Sequence, residues 1–151
     1  MMYRFLSRIV FALFISFSTL AQTVTVKIIE TSDVHGAIFP YDLKENKEIN
    51  SSLARVTTYL KELRADSNQI VFLLDNGDVL QGDPVVYYYN FEKTDTIHLY
   101  ADVMNFMKYD AGTVGNHDIE TGHDVYDKFN KEINFPWLAA NAINTTTNES
   151  Y

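Results

Sequence analysis

Residues 69–74 (Gln-Ile-Val-Phe-Leu-Leu) are almost wholly apolar, and the run stops abruptly at Asp75-Asn76-Gly77-Asp78. A run this short, bounded by polar residues, suits a strand buried on both faces. Strands of that kind belong to parallel sheets, whose connections are crossover helices. The flanking sequence carries the matching pieces. Residues 24–31 are rich in β-branched side chains and read as a strand running into Ser32-Asp33-Val34-His35-Gly36. Residues 111–114 and 137–143 read as two more strands. Between them, Ser51 or Ser52 can cap a helix reaching Asp66, with Leu53, Val56, Leu60 and Leu63 at helical spacing. A second helix is predicted over 96–108, with Leu99, Val103, Phe106 and Met107 facing inward, and a third over 123–131. The polar stretch 41–50 reads as a loop. Strand, helix, strand, helix, strand is the order of an α/β fold with crossover helices flanking the sheet.

Composition narrows the chemistry. The hydrophobic fraction of 46% argues against disorder, and the chain has no cysteine. Disulfides and thiolate metal sites are therefore excluded, and any metal must sit on His, Asp, Glu or Asn. Lys and Arg total 12 against 20 Asp and Glu, a formal charge of −8. That balance argues against a nucleic acid polymer as partner, because no basic face neutralises backbone phosphates. A small phosphorylated substrate stays open, since a bound metal supplies local positive charge.

The first residues read as a leader. Arg4 and Arg8 precede an apolar run over 9–17, and small residues follow before Gln22. This is the pattern of a secretory signal over residues 1–21, cut after Ala21. The run is short for a bilayer crossing, which takes roughly 20 residues. A secreted or periplasmic mature chain over 22–151, with no stable membrane anchor after cleavage, is the expectation.

Three polar clusters fall at predicted strand exits, where α/β sheets gather their ligands. Asp33 and His35 lie two apart, so both side chains can point to one side and make half of a first-row metal site. A surface pair joined by a hydrogen bond would look the same. Asp78, after Gly77, is either a turn former or a carboxylate bridging two metals. In Gly115-Asn116-His117-Asp118, Asn116 can offer an amide oxygen to a metal. His117 is suited to protonate a leaving oxygen, and Glu120 can orient it and raise its pKa. A solvent-facing turn is the bland alternative there.

Taken in order, Asp-x-His, Gly-Asp and Gly-Asn-His-Asp resemble the opening signature of the calcineurin-like metallophosphoesterases. The fuller segments Thr31-Ser32-Asp33-Val34-His35-Gly36, Asp75-Asn76-Gly77-Asp78-Val79-Leu80-Gln81-Gly82 and Gly115-Asn116-His117-Asp118 are similar to the secreted 5'-nucleotidase and 2',3'-cyclic-nucleotide phosphodiesterase branch. The resemblance implies the N-terminal half of an α/β sandwich with mixed sheets. It implies two divalent ions such as zinc or manganese, with Asp33 and His35 on the first, Asp78 bridging and Asn116 on the second. His117 would be the acid or transition-state stabiliser, paired with Glu120 where many members carry Asp. The implied reaction is attack of metal-bound water on the phosphorus of a nucleoside monophosphate or related ester.

The family completes its site with downstream histidines and a Gly-His-x-His motif. The only other histidines here are His98 and His123, both read as structural or solvent residues. Tyr87-Tyr88-Tyr89 reads as packing. The chain stops at Tyr151 in a run of Asn, Thr and Ser typical of a mid-protein loop, so a truncated reading frame is expected. By itself it is expected to be weak or inactive. A non-catalytic secreted domain that keeps the fold and weak metal binding is the competing reading.

Overall fold

The computed structural model describes residues 23–149, so the expected leader lies outside the described residues. In chain order these form β1 (Thr25–Thr31), the short pair β2 (Tyr41–Asp42) and β3 (Lys47–Glu48), α1 (Leu53–Arg64), β4 (Gln69–Asp75), α2 (Pro84–Tyr87), a π-helical turn (Tyr88–Glu92), α3 (Leu99–Met107), β5 (Ala111–Thr113), α4 (Asn116–Glu120), α5 (His123–Glu132) and β6 (Trp137–Leu138). The main sheet runs β1-β4-β5-β6. Every neighbouring pair in it is parallel, with Thr25↔Gln69 through Thr31↔Asp75, Asp75↔Gly112 and Gly112↔Trp137 in register. The α/β architecture is as expected, and the strand and helix order follows the hydrophobic pattern.

One core fills one side of this sheet. It joins Leu53 and Leu60 of α1, Leu73 of β4, Tyr100, Met104 and Met107 of α3, and Phe129 of α5. The other side is open, which corrects the expectation of a strand buried on both faces. Ile70 and Phe72 of β4 are 50% and 42% exposed, beside Val26 and Ile28 of β1 at 56% and 67%. Side chains alternate along a strand, so Leu73 turns to the helices while its neighbours turn away. Among the described residues nothing covers that second face. An apolar run records what a strand prefers, not whether this stretch of chain supplies the cover.

Local signals set the helix ends. Ser52 caps α1, its hydroxyl accepting the Arg55 N–H at 3.3 Å. Arg64 at the other end donates to the carbonyls of Met107 and Lys108 at 2.6 and 2.9 Å, tying the C-terminus of α1 to that of α3. Helix α3 starts at Leu99 because His98 is its cap. Its buried stripe is Tyr100, Ala101, Met104 and Met107, while Phe106 is 70% exposed. Two apolar stripes compete on this helix, and periodicity alone does not choose between them. The last strand is shorter than expected, since a turn closes from Ala139 to Ala142. The segment over 41–50, read as a loop, holds the small β2–β3 ladder.

His98 is structural, as expected, and its partners assign its tautomer. Nδ1 accepts the Tyr100 N–H at 3.1 Å, so the proton sits on Nε2, which donates to Asn90 Oδ1 at 3.0 Å. Asn90, on the π-helical turn, passes the link to the Leu80 carbonyl at 2.7 Å. Burial pushes the His98 pKa down to about 4. A histidine depressed in the folded state binds fewer protons folded than unfolded. Its contribution is therefore complete above pH 6.5 and is lost as pH falls toward 4, by about 3 kcal/mol. Asp75 works oppositely. Burial raises its carboxyl to about 7, so its contribution is present at low pH and fades as pH rises from 3.8 to 7. Urea denaturation of the protein and of His98→Gln isolates the histidine. The stability gap between them should narrow from pH 7 to pH 4.5.

Candidate metal centre

Parallel pairing puts the exits of β1, β4 and β5 on one edge of the sheet, where the three polar clusters meet. The first two loops are laced together through their backbones. Asp33 N–H donates to the Gly77 carbonyl at 3.1 Å and His35 N–H to the Asp78 carbonyl at 2.9 Å. Asp33, His35 and Asp78 all hold left-handed backbone, at φ of 52°, 49° and 60°. Such conformations cost L-residues about 1–3 kcal/mol each and persist where surrounding bonds over-determine them. Here the surrounding bonds fix the two loops that carry Asp33, His35 and Asp78.

His35, Asp78 and His117 converge, with one ligand atom from each lying within 4.8 Å of the others. His35 Nδ1 donates to the Gln81 carbonyl at 2.9 Å, leaving the Nε2 lone pair free as a ligand. Asp78 Oδ1 accepts the His117 backbone N–H at 2.9 Å, which ties the carboxylate to the start of α4. The His35 and His117 rings stand 5.3 Å apart at 61°. His117 Nδ1 bonds Glu120 Oε2 at 2.9 Å, so the expected imidazole–carboxylate pair is formed despite the longer glutamate arm. Glu120 raises the His117 pKa through that hydrogen bond, and His117 lowers that of Glu120 in return. The donor set, imidazole nitrogens with a carboxylate, fits a borderline divalent ion such as zinc or manganese.

Asp33 is not part of this converging group. The Asp33 carboxylate accepts from the Ser32 hydroxyl rather than joining the three. Asn116 opens α4 beside His117. His123 lies at the start of α5, with 70% of its side chain exposed, and pairs with Asp127 at 3.3 Å.

The sequence left Asp118 without a role, and the fold gives it one. Its side chain is fully buried, at 0% exposure. Oδ1 accepts the N–H groups of Val79 and Leu80, both at 2.8 Å. Oδ2 accepts those of Asp78 at 2.9 Å and Gly115 at 2.8 Å. Burial pushes its carboxyl pKa up, against the pull of these donors. The signal was present: an acidic residue three positions after a helix cap is one half of a capping box. Gly115 packs so closely that a Cβ there would lie 2.1 Å from Asp78 Oδ1. Gly115→Ala should therefore displace the Asp78 carboxylate and weaken Mn²⁺ binding roughly 10-fold or more, read by calorimetry.

The sequence matches the calcineurin-like phosphoesterases over residues 26–149. The chain belongs to that family. It is 37% identical to the trifunctional nucleotide phosphoesterase protein YfkN of Bacillus subtilis over 86% of this chain and 9% of that protein. It is 33% identical to bovine 5'-nucleotidase over 80% of this chain and 21% of the relative. The crystal structure of YfkN superposes with a TM-score of 0.72 at 36% identity, covering 82% of this chain and 39% of that one. A putative 5'-nucleotidase from Staphylococcus aureus gives 0.68 at 32% identity, covering 77% and 22%. This family member thus spans only a minor part of the length of these relatives.

Proposed function

We propose that this domain belongs to a hydrolase of nucleotide phosphoesters, and that Asp33, His35, Asp78 and Asn116 hold two divalent ions while His117 and Glu120 act on the leaving group. The observation that carries the reading is the convergence of His35, Asp78 and His117 at the exits of three parallel strands. Bound divalent ions supply Lewis-acid activation of water and neutralise charge on the phosphoryl oxygens. The chain's own groups do the rest. His35 is fixed by the Gln81 carbonyl with its Nε2 presented, and Asp78 is fixed by the His117 N–H. Glu120 keeps His117 protonated to higher pH than an ordinary histidine. With its Nδ1 on Glu120, His117 serves in this reading as the proton donor to the departing alkoxide oxygen.

The nucleotide substrate class rests on relatives named as 5'-nucleotidases and cyclic-nucleotide phosphodiesterases. Export to the periplasm or outside the cell rests on the Arg4–Ala21 leader pattern. No helix among the described residues is long and apolar enough to cross a membrane. The test is phosphate release from a nucleoside monophosphate and ring opening of a 2',3'-cyclic nucleotide. Both are run with metal-stripped protein before and after Mn²⁺. Turnover restored by metal supports the reading and excludes a non-catalytic domain, while failure to bind Mn²⁺ overturns the proposed metal site.

A further inference from the structure

Two loops must stay in register for the candidate centre to exist: the one carrying Asp78 after β4 and the one carrying Asn116 and His117 after β5. Asp118 joins them through four backbone donors, three from residues 78–80 and one from Gly115. One of these donors is the N–H of Asp78 itself. No other acidic side chain among the described residues is as deeply buried. It is not a member of the candidate ligand group. A surface-exposed capping residue needs neither this depth nor this many partners.

We propose that Asp118 is a positioning residue of the metal centre, setting the place of the Asp78 carboxylate by clamping its loop to the start of α4. This rests on the metal-site reading above. Both carboxylate oxygens are needed, since each accepts two N–H groups. An asparagine of the same shape turns its NH₂ toward two donors. That pair of amides is left buried and unpaired, and the loop holding Asp78 must move. Partners of this kind, one bond removed from the ligand, typically change metal affinity about 10- to 100-fold when replaced.

The experiment is calorimetric Mn²⁺ titration of the protein and of Asp118→Asn, with melting followed by circular dichroism. The expected result is a folded variant whose Mn²⁺ affinity is about 10- to 100-fold weaker. A lowered melting temperature with unchanged affinity overturns the inference and makes Asp118 purely structural. If the unmodified protein binds no Mn²⁺, the metal-site reading itself fails. Equal binding by both proteins fails the Asp118 inference alone. Should the variant not fold, amide exchange in the unmodified protein decides. The Val79, Leu80 and Gly115 amides are expected to be protected and to slow further together on adding Zn²⁺, by reciprocal coupling. Exchange at free-loop rates, indifferent to Zn²⁺, overturns it.

Discussion

Asp78→Ala is expected to abolish metal-dependent hydrolysis, by about 10³-fold or more, while leaving the fold intact. The scale is that of losing one preorganised electrostatic group in an active site. Asp78 is the only carboxylate in the converging group, and its loss removes the proposed bridge between the two ions. Its side chain also receives the His117 N–H, and truncation frees the first turn of α4. Its neighbours Val79 and Leu80 are buried in the core and remain so, which keeps the loop anchored. Parallel assays of phosphate release and melting temperature separate the two effects. A large fall in melting temperature would make Asp78 a structural residue first.

The second large effect concerns proton donation. His117→Ala should lower kcat by about 10²- to 10⁴-fold for esters with a poor, alkoxide leaving group. With a nitrophenolate leaving group, which departs without a proton, the loss should be far smaller. Glu120→Gln tests the cause of the raised pKa. The hydrogen bond that His117 donates to Glu120 is the largest cause of its raised pKa. A proton donor works below its pKa and fails as pH rises through it. Removing the carboxylate therefore moves the alkaline limb of the kcat profile to lower pH. A limb that stays in place would assign the donor elsewhere.

Much of this arrangement was legible in the sequence, for identifiable reasons. Leu53 and Leu60 at helical spacing, and the β-branched run entering Thr31, are strong periodic signals that tertiary context did not overturn. Strand exits in a parallel sheet share an edge, so three polar clusters at three exits had to meet. The inner face of α3 was misread because Phe106 and Met104 lie on stripes of similar apolarity, and only packing chooses between them. The open face beyond Ile70 and Phe72 was illegible because cover is a property of the assembly, not of the strand. What Asp118 and Gln81 do was illegible for a related reason. One acts through backbone amides and the other through its own carbonyl, and composition records neither.

Every role assigned above depends on the strand exits building a divalent-metal site. Titrating ¹⁵N-histidine-labelled protein with Mn²⁺ tests it most directly, since the ion broadens only resonances close to it. The account predicts early broadening of the His35 and His117 rings, while His98 and His123 stay sharp and Asp78→Ala removes the selectivity. Uniform broadening of all four, or none below millimolar metal, would contradict it.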